Sequence, residues 1–253
     1  MFFADERNQD LLISFLKSVV KLPDDDYNEI VITDPHLLPE YKGDKLSIID
    51  VKLRTKSGKI IQIEIQLEVR PEMSKRIVFY DSKLITEQLG EKDNYTKINQ
   101  VISIIITKEK LIKNSAQYHH RFTFCDPDAK IELTDIVEIH TLELSKLPEG
   151  TDGTLLYDWA KFIDAENEEE FNMVAERNPE VKKAVVRLEA LSGDALARRV
   201  AELEQKARMD VEAFLDHAII QTDQKWQSVV AEKDAALAEQ RAEIERLRAL
   251  LKG

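Results

Sequence analysis

The chain has 253 residues, 43% of them hydrophobic, and its 48 acidic against 36 basic side chains leave a formal net charge of −12. That length supports one sizeable core with an extension, or two small domains. The acidic balance excludes a broadly basic nucleic-acid coat while leaving a local basic patch open. A single cysteine, Cys125, excludes an internal disulfide and suits a reducing cytosol, and the five histidines show no zinc spacing. No apolar run reaches transmembrane length and the opening MFFADERNQD is not a signal peptide. The expectation is a cytoplasmic protein without a membrane partner.

The elements follow in chain order. A helix is predicted from about Glu6 to Lys21, with Leu12, Phe15, Leu16 and Val19 on one stripe and Pro23 ending it. EIVITD reads as a strand, KLSIIDVKLRT as a second and KIIQIEIQLEV as a third. In the third, Ile61, Ile63, Ile65 and Leu67 alternate with Gln62, Glu64, Gln66 and Glu68, so one face is apolar and the other carries amides and carboxylates. That polar face is either the solvent side of an antiparallel sheet or a polar site on a rigid element. Pro71 opens a second helix, closed by Gly90, and NQVISIIIT follows as a strand apolar enough to be covered on both faces. The order α-β-β-β-α-β gives a mixed sheet flanked by helices, an α/β fold.

Composition changes near residue 150. Residues 151–253 are rich in Ala, Glu and Arg and read as helical almost throughout. The division expected is a core of residues 1–150, a helical extension of 151–222 and an amphipathic helix of 223–253. In that last segment Val230, Leu237, Ile244 and Leu251 recur every seven residues, with Lys233, Gln240 and Leu247 as the intermediate set. This short coiled-coil-like seam suits a homodimer, or packing on its own domain.

Between the second and third strands, KSG suits a tight hairpin with Gly58 at a positive φ. A three-residue loop puts Thr55 opposite Lys59. The same register puts Lys52 opposite Gln62 and Asp50 opposite Glu64. Opposed carboxylates with Cβ atoms about 4.5–5.5 Å apart repel unless one is protonated or a cation lies between them. A hard divalent cation with oxygen ligands, Mg²⁺ with Mn²⁺ as a substitute, answers that demand with Asp50 and Glu64 as its ligands. Gln66, on the face of Glu64, adds an amide oxygen or orients a water, and Lys52 can supply positive charge. Arg54, Lys56 and Lys59 around the hairpin tip are candidates for phosphate contacts, as are Arg76, Tyr80 and Lys83, which share a stripe of the second helix. Asp10 is a candidate third acid. His119 and His120 point to opposite faces of a strand and do not make one site, and His36, His140 and His217 have no evident partners.

Asp50, followed after a hairpin by Glu64-Ile65-Gln66 within that element order, resembles the PD-(D/E)XK nuclease core, with Gln66 where the usual pattern has lysine. The segments DERNQDLLISFLKSV, IIDVKLRTKSGKIIQIEIQ, YDSKLITEQLG, YTKINQVISIIIT, YHHRFTFCDPD and LTDIVEIHTLELSKLP resemble, in chain order over roughly residues 3–150, the recombination-promoting nuclease/putative transposase (Rpn) family. The resemblance implies a metal-dependent DNA endonuclease with Asp50, Glu64 and Gln66 at its active site. Members of that family carry a further stretch before the ADERN segment, so the resemblance also implies a missing start. Two functions follow: an Mg²⁺-dependent DNA nuclease of transposase type, or a catalytically inactive relative that binds DNA or itself.

Overall fold

The computed structural model describes residues 3, 5–33, 36–37, 47–48, 51–66, 68–190, 226, 230 and 233, with backbone alone at 36–37, 47–48 and 189–190. A 3₁₀ turn over Glu6–Asn8 leads into α1 (Gln9–Val19). Leu11, Leu12, Phe15, Leu16 and Val19 form its buried stripe, as the 3.6-residue period requires. The chain is already extended at Val20, and Pro23 lies ahead of the short α2 (Asp24–Asn28).

Among the described residues six strands form one sheet: β1 (Val31–Thr33), β4 (Val51–Arg54), β5 (Ile60–Gln66), β6 (Val101–Thr107), β7 (His119–Cys125) and β8 (Glu132–Glu143). Their order across the sheet is β1-β4-β5-β6-β8-β7. β1, β4 and β5 are antiparallel, β5, β6 and β8 run parallel, and β7 returns antiparallel to β8 along the edge. This is the expected mixed sheet, extended by the β7–β8 hairpin. Within the expected second strand, β3 (Ser47–Ile48) pairs with β2 (His36–Leu37) in a two-stranded sheet and Val51–Arg54 pairs in the main one, while residues 49–50 lie outside the described residues.

The β4–β5 hairpin has the expected register, with Lys52 paired to Gln62 and Val51 to Ile63. Thr55 N–H donates to Lys59 O at 3.0 Å, and Gly58 closes the turn at φ +90°, where a Cβ would stand 3.0 Å from the Asn99 side chain. Only glycine adopts that conformation without strain. Asp26 of α2 holds the tip by accepting from Ser57 N–H at 2.9 Å.

β6 is buried at all seven positions, the signature of a central strand covered on both faces. One cover is α3 (Met73–Thr86), the crossover between β5 and β6: Met73 and Ile77 pack on Ile105, and Leu84 packs on Ile60 and Val101. On the opposite parity Ile61, Ile63, Ile102 and Ile104 are also fully buried. Beyond β8 come α4 (Leu155–Asp164), α5 (Glu168–Arg177) and α6 (Pro179–Ala190). Thr154 caps α4 and Asn167 caps α5, each accepting from a first-turn N–H. Phe3, Phe15, Trp159, Phe162 and Phe171 form a chain of ring contacts that joins α4 and α5 to α1.

The chain forms two compact units, Met1–Ala201 and Glu202–Gly253. Within the second unit Trp226, Val230 and Lys233 are helical and exposed. The other positions of the heptad seam lie outside the described residues. No described helix is long and apolar enough to cross a membrane.

Candidate active site

The polar face of β5 does not face solvent. The parallel pairing with β6 sets Gln62 beside Ser103, Glu64 beside Ile105 and Gln66 beside Thr107, and α3 covers this face. Gln62 and Gln66 are buried, and the Glu64 side chain retains 15% exposure. The last residues of β5, β6 and β8 are Gln66, Thr107 and Glu143, so these groups gather at the carboxyl ends of the parallel strands. Open α/β sheets bind ligands at that end.

Three sequence-predicted residues converge here. Gln66 Nε2 donates to Glu64 Oε1 at 2.5 Å, and an Arg76 guanidinium nitrogen stands 3.9 Å from the same oxygen. Arg76 also lies over the Tyr80 ring, 5.4 Å from its centroid, a cation–π contact that orients the guanidinium. Lys83, on the same stripe, is buried with its ammonium 5.1 Å from the Phe79 ring. Lys52 reaches Glu87 at 3.4 Å. The hairpin-tip cations are not brought to Glu64. Lys56 pairs with Glu29 at 3.5 Å, Lys59 donates to Gln100 at 2.9 Å, and Arg54 is exposed at the strand end. At about 3.3 Å per residue along β5 that end lies roughly 15 Å from Glu64. Asp10 is engaged elsewhere, in a two-bond pair with Arg187 of α6 that holds its carboxyl below the usual range. Asp50 lies outside the described residues. Among the described residues no group of three or more His, Cys, Asp or Glu side chains converges as a metal site.

Behind Glu64 is a cluster that the sequence reading missed. Asp81 of α3 is 2% exposed. Its Oδ1 accepts from Gln62 Nε2 at 2.7 Å and from the Ser103 hydroxyl, while Oδ2 has no hydrogen-bond partner. Burial pushes its carboxyl up to about 6, against the opposing effect of the bonds from Ser103 and Gln62. A signal was present: Asp81 follows Ile77 by four residues and precedes Leu84 by three, which puts a carboxylate in the apolar stripe of α3.

The histidines correct one reading and agree with another. His140 does have partners. Its Nε2 is 2.7 Å from Glu138 Oε1, and its Nδ1 is 2.9 Å from His119 Nε2, with the two rings stacked. A carboxylate only accepts, so His140 Nε2 carries the hydrogen and neutral His119 donates to His140 Nδ1. Burial first, then the neighbouring histidines, pushes His119 down to about 4. Burial opposes the ionisation of Glu138, but the bonds from His140 and Arg121 prevail and hold it at about 2. His120 lies on the other face, stacked on Phe122, as strand alternation demands.

A mixed α/β sheet whose central parallel strand ends in a carboxylate and an amide under a crossover helix defines an α/β protein with a polar site at the strand ends. The family model for PD-(D/E)XK nuclease family transposases matches residues 1–218, and the chain belongs to that family. The match takes in the whole described sheet and the helices α1–α6. No curated protein and no solved structure matches the chain.

Proposed function

We propose that the protein is a divalent-metal-dependent DNA endonuclease, with Mg²⁺ as the working ion and Mn²⁺ as a substitute. The observation that carries this reading is the Glu64 carboxylate, held half-sheltered at the strand end with Gln66 and Arg76 directed at one of its oxygens. The Arg76 guanidinium and the Gln66 N–H stand at the oxygen where a cation would sit, and a carboxylate with an amide oxygen suits a hard cation once the Gln66 amide is turned. Asp50 is assigned as the second carboxylate. Val51 pairs with Ile63, and the next residues in each direction along the chain are Asp50 and Glu64.

A cation held there supplies an activated water and charge at the leaving oxygen. The chain's own residues do the remainder. Arg76 binds a non-bridging phosphate oxygen in fork geometry, steadied by Tyr80. Gln66 does not titrate near neutrality and orients the water through its amide. Lys52 sits across the hairpin from Gln62 and adds positive charge on that face. Lys83, Arg54, Lys56 and Lys59 are assigned to flanking phosphates, the last three farther along the duplex. In a plasmid-nicking assay the parent chain should cut with Mg²⁺ and stop when the ion is chelated, and Glu64→Gln should not cut although its circular dichroism is unchanged. A chain that binds the plasmid without nicking it under any divalent ion would instead be a DNA-binding module. The C-terminal helix is assigned to self-association, which would place two such sites on one duplex.

A further inference from the structure

Four of the six buried side-chain atoms that lack a hydrogen-bond partner among the described residues fall in one place: both ring nitrogens of His120, Thr141 Oγ1 and Glu143 Oε1. His120 on β7 and Thr141 on β8 are register partners, and His120 Nδ1 is 3.6 Å from Glu143 Oε1. The two oxygens of Glu143 are treated very differently. Oε2 accepts from Lys146 Nζ at 2.6 Å, from Leu111 N–H at 2.8 Å and from Ile112 N–H at 3.1 Å. Oε1, on a side chain with no exposure at all, is left bare and directed at the imidazole. A buried carboxylate oxygen left without a partner is costly, so folding around it calls for an occupant.

We infer that His120 Nδ1, Glu143 Oε1 and Thr141 Oγ1 form a second cation site, selective for a divalent ion of the Zn²⁺, Co²⁺ or Ni²⁺ type. Tetrahedral coordination with bonds of about 2.0–2.1 Å sets two ligand atoms about 3.4 Å apart, close to the nitrogen–oxygen separation here. The three donors on Oε2 act as the outer hydrogen bonds that fix a ligating carboxylate and leave its other oxygen for the ion. Lys146 already offsets the charge of Glu143. Mg²⁺, which depends on carboxylate charge, is therefore disfavoured, while an ion that gains from imidazole coordination is not. The site is separate from the proposed nuclease centre. Glu64, Ile105, Thr141 and His120 lie in one row across four strands, which at about 4.8 Å per step makes roughly 14 Å, against about 3.5–4 Å in two-metal centres. Its consequence is mechanical: the ion ties edge strand β7 to the end of β8 and, through Glu143, to the Leu111–Ile112 backbone.

The test uses the full chain carrying Glu64→Gln, so that its outcome does not depend on the nuclease reading. After stripping with chelator, Co²⁺ is added and its visible ligand-field absorption and stoichiometry are recorded, with excess Mg²⁺ present. One Co²⁺ per chain should bind and raise the melting temperature. His120→Phe keeps the ring stacked on Phe122 and removes both nitrogens; it should weaken Co²⁺ binding at least tenfold, and Thr141→Val by less. Lack of uptake in the Glu64→Gln chain, displacement by Mg²⁺, or uptake indifferent to both His120→Phe and Thr141→Val would each overturn the site.

Discussion

Two regions of this molecule are equally well buried and chemically opposite. The layer that joins α1 to α4 is aromatic: Phe15, Trp159 and Phe162 are fully buried, and the polar edge of Trp159 is satisfied by Ser14 at 3.3 Å. The space between α3 and β5–β6 holds Gln62, Asp81, Ser103 and Gln66 at 5% exposure or less, with Glu64 beside them. The first arrangement contributes stability and nothing else is asked of it. The second works against stability, because Asp81 keeps one oxygen unpartnered in a desolvated place. Departures from the apolar-core rule concentrate where a site needs them. The contrast thus assigns stability to the aromatic layer and chemistry to the polar one, and it can be tested by perturbing each in turn.

The largest effect is expected on the aromatic side. Trp159→Ala removes the ring that touches Phe3, Phe15 and Phe162, and should lower unfolding free energy by about 3–5 kcal/mol. Denaturant titration measures it. Any nicking activity, normalised to folded protein, should stay within twofold of the parent. On the polar side Arg76→Ala should do the reverse. A partly exposed arginine whose nearest carboxylate oxygen is 3.9 Å away contributes little to stability, about 1 kcal/mol or less, whereas loss of a phosphate clamp should cost nicking about ten- to a hundredfold. If Trp159→Ala abolished specific activity, or Arg76→Ala left it intact, the division of labour between the two layers would be wrong.

A sharper probe is pH. Burial holds the Asp81 carboxyl at about 6, above the ordinary aspartate range of about 4. The folded state therefore holds this proton more tightly than the unfolded chain does. The resulting stability is fully present below about pH 4 and is lost as pH rises through 6. Asp81→Asn keeps an oxygen to accept from Gln62 and Ser103 but cannot ionise. At pH 7 it should be more stable than the parent by roughly 2 kcal/mol, with the difference vanishing near pH 4. Melting curves of both proteins from pH 4 to 8 measure the gap. A gap that did not change across that window would mean that Asp81 titrates normally.

Much of this was legible in the residues. The strict alternation of Ile60–Gln66, the KSG turn and the unbroken apolar run of β6 are local signals, and each element formed where its period placed it. The register of Lys52 on Gln62 follows from the loop length alone. Other features depend on distant partners. Ser47–Ile48 and Val51–Arg54 belong to one β-prone stretch, yet they pair in different sheets, and nothing in their own composition marks the change. The His140 contacts with His119 and Glu138 require the antiparallel register of β7 on β8, which is set across a bulged hairpin. Alternation did reveal the polar face of β5, but only the placement of α3 decides that it is covered. Asp81 was readable in principle as a carboxylate at an apolar position of its helix.

The smallest expected effect concerns Gln66, which stands where the related pattern has lysine. Its amide now donates to Glu64 at 2.5 Å, from a side chain 5% exposed. Gln66→Lys would replace that neutral donor by an ammonium beside a carboxylate that Arg76 already approaches. A charge-assisted bond is worth more than a neutral one, but the ammonium loses hydration on burial and competes with Arg76. The net gain in the metal-free protein should therefore be small, about 0.5–1 kcal/mol. The same ammonium opposes a cation at Glu64, so the Mg²⁺ concentration for half-maximal nicking should rise severalfold, while the rate at saturating Mg²⁺ stays at or above that of the parent. Melting temperature without metal and nicking rate against Mg²⁺ separate these effects. If the apo protein gained nothing and the Mg²⁺ dependence were unchanged, residue 66 would not act on Glu64, and the polar face under α3 would serve the fold alone.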